Sequence, residues 1–370
     1  MHTYRLLVTG ASGFIGGALA ARLIVTPRWS KTLFLIRSDT REDGLAKLAH
    51  VLRKHGVDEA HLDRLQLGQI LCGDLNNVAA WGADPRLEGI VDVVSSAAVA
   101  SFGNHPSIWP TNVDGVMDMA RLLVKRCKLR RFLHLGTAMA CGVQAPNPVP
   151  EGYDGGDATE PFLQYTASKY EIERRMREVL PSLPLIVARP SIVVGHSQLG
   201  CAPSGSIYWV FRIGRALKCF PCELDQRIDV VPVDYCAEAL HLLLNKTHLA
   251  YDTYHISAGP ERASSFREVD LSATKAMGIK PMADYQRKPF ADIVKMQNQF
   301  GELLGACNKR IMLRAIRAYG GFAELGLLFS NQRLLAEGMP LPPAFASYAG
   351  LCETTSQGHS IAEQMRFDYK

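Results

Sequence analysis

Long apolar runs are missing from this chain. No stretch approaches the roughly 18 consecutive apolar residues of a membrane-spanning helix, and the most apolar late segment, AELGLLFS, is far too short. Cysteine is sparse: nine residues, an odd number, scattered without a framework. That pattern argues against a disulfide-stapled secreted domain. Cys219 and Cys222, in KCFPCE, form one C-x-x-C with no second pair and no His partner at ligand spacing, so no metal is expected. G-x-S-x-G, H-E-x-x-H and the Walker A loop are all absent, which sets aside a hydrolase elbow, a zincin helix and a P-loop. Neither charge sign dominates. Lys and Arg number 41 against 36 Asp and Glu, a net +5, too diffuse to argue for nucleic acid but compatible with a phosphorylated ligand. No repeat, low-complexity linker or signal peptide is read, so reduced thiols and a cytoplasmic location are expected.

What is present is a globular composition, 47% hydrophobic and 21% charged over 370 residues, enough for one large α/β unit or two domains. Apolar β-forming runs alternate with helical patterns. Strands are predicted at residues 5–9, 32–37, 65–74, 91–98, 131–138 and 184–194, and helices at 14–24, 44–56, 112–127 and 162–180. Such alternation predicts a doubly wound parallel sheet of the Rossmann α/β class. Beyond Gly195 the rhythm changes. A Gly/Pro/Ser stretch, GCAPSGS, leads into the aromatic run IYWVF, and residues 228–234 and 253–259 read as strands returning to the sheet. The expected division is a dinucleotide-binding domain over 1–195, rejoined by 228–258, and a smaller, mostly helical substrate-binding cap over 196–370. Residues 200–211 are expected to fold over the cleft as an apolar flap.

Three glycines, Gly10, Gly13 and Gly16, lie in TGASGFIG, between the first strand and the first helix. Glycine there lets a ligand approach the backbone, and a helix N-terminus favours a phosphate. Arg37 ends the second strand where an acidic residue would bind a ribose diol; an arginine instead suits the 2′-phosphate of NADP, with Arg41 nearby. Asp74 and Leu75, in CGDLN, end the third strand, where a carboxylate can accept from an adenine amino group. In YTASK, Tyr165 and Lys169 stand four apart on one helix face. An ammonium there is expected to lower the tyrosine pKa towards the working range. Thr137, at the end of the fifth strand, adds a hydroxyl beside the same crevice. The basic run KRCKLRR, residues 125–131, reads either as a helix end suiting the dipole or as a surface for a carrier protein or a CoA phosphate. His134 reads as a core histidine.

Together, Gly10, Gly13, Gly16, Thr137, Tyr165 and Lys169 resemble the extended short-chain dehydrogenase/reductase superfamily, and more narrowly its thioester-reductase and fatty acyl-CoA reductase (male-sterility-like) branch. The runs TGASGFIG, FLIRS, GDL, AAVASF, NVDGV, HLGTA, YTASK with Glu173 after it, RPSIVVG and VPVDYCAEAL come in that family's order across residues 6–244. The resemblance implies that the glycine turn, with Ser12, Phe14 and Ile15, holds the pyrophosphate. It further implies Arg37 for the 2′-phosphate, Asp74 and Leu75 for adenine, and Ala97 and Ala98 along the cofactor. Lys169 would hold the nicotinamide ribose, Ser191 and Ile192 would lie along the nicotinamide, and Thr137 and Tyr165 would face the reacting carbonyl. One position departs: Ser95 stands where the family often has His. The implied activity is NADPH-dependent reduction of an acyl thioester, on CoA or an acyl-carrier protein, to an aldehyde and onward to an alcohol by a second hydride. The alternatives are a dehydrogenase or epimerase acting on a ketone, secondary alcohol or nucleotide sugar, and a non-catalytic NADP sensor. The oligomeric state stays open.

Overall fold

The first strand, β1 (Leu6–Thr9), is buried along its whole length, and its side chains divide by parity. Leu6 and Val8 join one apolar cluster; Leu7 joins another on the opposite face. In β2 (Thr32–Ile36), Phe34 and Ile36 face the first cluster, Leu33 and Leu35 the second. A strand apolar on both faces is what a parallel sheet covered by helices on each side requires. The computed structural model, which describes residues 4–101, 103, 105–154 and 161–368, completes this sheet with β3 (Ile70–Cys72), β4 (Asp92–Ser95), β5 (Arg131–Leu135), β6 (Leu185–Pro190) and β7 (Thr253–Ile256). Phe102, the last residue of AAVASF, lies outside the described residues. The strand order is β3-β2-β1-β4-β5-β6-β7, with every neighbouring pair parallel. Chain direction across the sheet reverses between β1 and β4, the switch point at which such sheets open a ligand crevice.

The principal helices are α1 (Phe14–Ile24), α2 (Arg41–Lys54), α3 (Val116–Arg126), α4 (Gln164–Val179), α5 (Tyr208–Leu217), α6 (Val233–Asn245), α7 (Phe266–Met277), α8 (Lys309–Leu325), α9 (Phe345–Ser356) and α10 (Ile361–Asp368). Helices α1, α2 and α6 cover one face, where Leu19, Leu23, Leu48, Leu240 and Leu244 meet the sheet. Helices α3 and α4 cover the other through Met119, Leu123, Ile172 and Met176. The later helices build a second core, in which Trp209 and Ile213 of α5 meet Met312 and Ile316 of α8 and Ile361 and Met365 of α10.

Two expected strands differ. Only Ile70–Cys72 of residues 65–74 forms a strand. Leu67–Gln69 instead forms a 3-10 turn, because the Gln69 side chain folds inward and donates to the Trp29 carbonyl at 2.7 Å. Residues 228–234 do not return to the main sheet. Val230–Val231 pairs with Ile192–Val193, and Arg227–Ile228 with Ser264–Ser265, in separate two-stranded ribbons. Pro232, lacking an N–H for a ladder, then caps α6. Of the segments expected to rejoin the sheet, β7 alone does so.

Between those ribbons lies Asp229, 1% exposed. Its carboxylate accepts from the backbone N–H groups of Ala258 at 2.7 Å, Phe329 at 3.0 Å and Gly259 at 3.3 Å. One buried side chain therefore ties the end of β7 to the late segment running toward α9. Asp229→Ala leaves these donors buried without partners, each costing about 1–3 kcal/mol. We expect a loss of about 3 kcal/mol or more, read as a lower urea midpoint. Asp229→Asn, which keeps one acceptor oxygen, should lose clearly less; equal losses would show that the acceptor is not what matters.

Candidate active site

The chain leaves β1 at Gly10 with φ +76°, a left-handed conformation that disfavours residues with a Cβ. A Cβ there would also stand 2.6 Å from the backbone nitrogen of Ala97. At Gly16 a Cβ would stand 2.2 Å from the Gly10 carbonyl oxygen. Helix α1 therefore lies directly on the turn, and the turn on the chain leaving β4. Thr9 fastens this approach: its Oγ1 accepts from the N–H groups of Ser96 at 3.2 Å and Ala97 at 3.1 Å. Helix α1 begins at Gly13 with no side-chain cap, so its first N–H groups face the crevice. These features form a cradle that side chains would fill and that suits a pyrophosphate. The residues present fit a dinucleotide.

Beside the cradle runs a cavity of about 380 Å³ at the carboxyl ends of the strands. Gly10, Gly13, Phe14, Ile15, Gly16, Ala98, Thr137, Tyr165, Lys169, Ser191 and Ile192 all line it, so the structure gathers these expected site residues in one place. Thr137 follows β5, and its Oγ1 accepts from the Met139 N–H at 3.3 Å, an arrangement that orients the hydroxyl proton elsewhere. Lys169 is 2% exposed, and its Nζ donates to the Leu135 carbonyl at 2.7 Å. Burial pulls its pKa down to about 8, opposed by the nearby Glu173 carboxylate. Burial pushes the Tyr165 phenol up to about 12. This differs from the expectation that Lys169 brings the tyrosine down toward neutrality: the shift is upward, because desolvation disfavours the phenolate. Tyr165 is therefore a protonated group at neutral pH.

Two buried polar ties hold α4. The Glu173 carboxylate takes both Nε and Nη2 of Arg189, at 2.9 and 2.6 Å, joining α4 to β6. Asn112 is fully buried and binds Val99 through both amide atoms, while its Nδ2 donates to the Ser168 hydroxyl at 3.1 Å. The loop after β4 is thus fixed to the turn of α4 that carries Tyr165 and Lys169.

Ser12, Arg37, Asp74, Leu75 and Ala97 do not line the cavity. Arg37 lies just beyond β2, its side chain 85% exposed and 3.7 Å from Asp74. Asp74 also accepts from the Asn76 N–H at 2.8 Å, and Leu75 is a buried core residue. The second cation at this edge is Lys47, absent from the sequence reading, whose Nζ donates to the Arg37 carbonyl at 2.8 Å. Arg41 instead bears on Asp84 and Tyr4. Ser95 is buried in the sheet, its hydroxyl 3.3 Å from His134 Nδ1, and it is Ser96 that reaches the cavity. The arginines of the basic run at 125–131 are spent internally, while Lys125 and Lys128 are exposed. Arg126 donates to the Gly82 carbonyl, Arg130 pairs with Asp92 at 2.8 Å, and Arg131 donates to the Leu243 and Lys246 carbonyls.

The expected aromatic flap is also corrected. Tyr208, Trp209 and Phe211 belong to α5 and are buried in the cores of the later helices; an apolar face of this strength is satisfied by packing, not by an open cleft. Only Ser204, Ser206 and Ile207 of that segment reach the cavity. Its far wall comes from residues the sequence reading missed: Ala100, Met139, and Tyr319 and Phe322 of α8. The aromatic pair around Gly-Gly in AYGGF was the available signal.

Comparison with known proteins follows this geometry. The profile of a family described as Male sterility protein matches residues 8–240. The chain is 26% identical over 323 residues to the non-canonical nonribosomal peptide synthetase hkm10 of Aspergillus hancockii, covering 75% of this chain and 31% of that protein. It spans less than a third of the length of the curated relatives it matches. Among solved structures, the terminal R domain of the myxalamid PKS-NRPS pathway superposes with a TM-score of 0.75 at 20% identity, over 96% of this chain and 91% of that one. A thiolation-reductase di-domain from an archaeal non-ribosomal peptide synthetase superposes with a TM-score of 0.69 at 17% identity, over 100% and 76%.

Because Trp209 packs edge-on against Tyr319 at 5.2 Å in the core, Trp209→Ala should behave as a core truncation costing about 3–5 kcal/mol. A melting temperature lowered by several degrees is expected, with no preference for short over long substrates. Unchanged melting with a chain-length effect would restore the flap.

Proposed function

The chain belongs to the male sterility protein family, in the thioester-reductase branch of the extended short-chain dehydrogenase/reductases, and is an NAD(P)-dependent reductase of that type; from this premise we propose that it reduces an acyl thioester with NADPH. One observation carries the reading. A single cavity joins the hydroxyls of Thr137 and Tyr165 to an apolar wall of Ala100, Met139, Ile207, Tyr319 and Phe322. An acyl chain suits that wall better than a nucleotide sugar, which needs polar partners.

The glycine cradle and the start of α1 bind the pyrophosphate. Arg37 and Lys47 take the 2′-phosphate, with Asp74 and Leu75 at the adenine. Lys169 holds the nicotinamide ribose, and Ala97, Ala98, Ser191 and Ile192 border the cofactor. Residues 196–370 supply the substrate-binding cap. When bound, the nicotinamide supplies a hydride to the acyl carbon. Thr137 donates a hydrogen bond to the carbonyl oxygen and stabilises the negative charge that develops there. Tyr165, a phenol that keeps its proton at neutral pH, gives that proton to the oxygen. The resulting hemithioacetal breaks its C–S bond, releasing the thiol and an aldehyde. A second round on the aldehyde yields the alcohol.

Purified protein should oxidise NADPH with acyl thioesters and release aldehyde or alcohol, followed by absorbance and product analysis. Turnover only with ketones or nucleotide sugars would overturn the substrate class. Arg37→Asp should weaken NADPH binding about tenfold to a hundredfold, the worth of a charge-assisted contact of about 1.5–3 kcal/mol, and spare NADH. Equal NADPH affinities, measured by fluorescence titration, would remove Arg37 from the site. Tyr165→Phe should lower kcat by about 10²–10⁴-fold with NADPH binding little changed. Substantial residual turnover would place the proton donor elsewhere.

A further inference from the structure

Helix α8 faces two ways. Tyr319 and Phe322 line the cavity, while Arg310, Arg314 and Arg317 are exposed and, at i, i+4 and i+7, form one stripe along the helix. The stripe continues to Gly321, where a Cβ would stand 2.6 Å from the Phe162 ring. Phe162 in turn packs on Phe322, with ring centroids 4.1 Å apart. The arginines therefore lead along the surface to the lip of the cavity. From Arg310 to Phe322 the axial distance is about 18 Å, at about 1.5 Å per residue.

These charges are unanswered. Some exposed arginines pair with carboxylates, as Arg53 does with Glu59, Arg121 with Asp118 and Arg267 with Asp225, while others, Arg5, Arg41 and Arg262 among them, stand singly and far apart in the chain. Among the described residues no ion pair involves Arg310, Arg314 or Arg317; Arg317 only lies 5.9 Å over the Phe290 ring. Next to Arg310 in the chain, Ile311 is 38% exposed. The basic run at 125–131 spends Arg126, Arg130 and Arg131 on the protein's own carbonyls and carboxylates and leaves Lys125 and Lys128 exposed, but none of its residues lines the cavity.

We propose that the exposed face of α8 is the docking surface for an acidic carrier domain that delivers the acyl group on a phosphopantetheine arm past Phe162 and Phe322. This rests on the thioester-reductase reading. The face is a convex helix with charges spread over about 10 Å, and Ile311 adds an exposed apolar side chain on the same helix. A helix of a folded acidic partner matches that shape. The nucleotide of CoA, a compact ligand, needs a concave site. Steering by such a row raises the rate of encounter and makes it sensitive to salt.

The test uses a type II acyl-carrier protein bearing octanoyl-phosphopantetheine, octanoyl-CoA and octanoyl-pantetheine, with wild type and R310E/R314E/R317E. Binding of the holo carrier, read by biolayer interferometry, should weaken about tenfold or more in the variant, and its dependence on salt should flatten. The KM for the carrier thioester should rise in parallel, with octanoyl-pantetheine unaffected and the melting temperature unchanged. The milder R310Q/R314Q/R317Q should fall between. A variant that binds the carrier as wild type does, or a wild type that binds none, overturns the proposal. So does an equal loss for octanoyl-CoA, which would make the stripe a phosphate site. The binding arm needs no turnover. Carrier binding without reduction of any thioester would defeat the functional reading and leave the docking surface standing.

Discussion

The site depends on a backbone-to-backbone approach. The turn after β1 is pressed against the chain leaving β4, and α1 is laid on the same turn, at separations that leave no room for a Cβ at Gly10 or Gly16. Thr9 secures the contact with its hydroxyl. Because β1, β2 and β4 run in parallel register, with Thr9 opposite both Leu35 and Ser95, closing this contact aligns the carboxyl ends of all three strands. The phosphate cradle, the Arg37–Asp74 edge and the Ala98 wall are consequences of that alignment. A larger residue at either glycine would have to move a strand, not a side chain.

On the other side of the crevice the organising forces are buried and polar. The Glu173–Arg189 pair joins α4 to β6, and Asn112 joins α4 to the loop after β4. Buried ion pairs are weak sources of net stability, since desolvation offsets most of the attraction. Here the pair sits one helical turn from Lys169, so its effect falls on where the ammonium stands and how readily it stays charged. The result is a division of labour. Lys169 is a cation kept near its titration point, and Tyr165 is an acid that holds its proton.

The late helices complete the cavity from far along the chain. Asp229 anchors Phe329 beside β7, the core around Trp209 carries α8 into place, and α8 puts Tyr319 and Phe322 opposite Thr137 and Tyr165. One helix thus shapes the substrate wall inside and displays a cationic stripe outside. The inner lining of the cavity and the charge on the outer surface are set by the same element.

Local pattern was enough for much of this. Apolar runs and strand–helix alternation placed the strands of the parallel sheet, with α1 at 14–24. TGASGFIG and YTASK identified the cradle and the Tyr165–Lys169 helix face, because glycine turns and i, i+4 spacing act over a few residues. Local pattern failed where the decision was non-local. An aromatic run reads the same whether it caps a cleft or fills a core, and only contact with α8 and α10 put Trp209 in the core. Residues 228–234 have strand composition, yet the partner available was Ile192–Val193, not the sheet. The upward shift of Tyr165 came from desolvation by packed segments, which motif spacing does not carry. Motif spacing is written in the chain. Which surfaces meet, which charges are already spent and which remain free to act is settled only when distant segments pack.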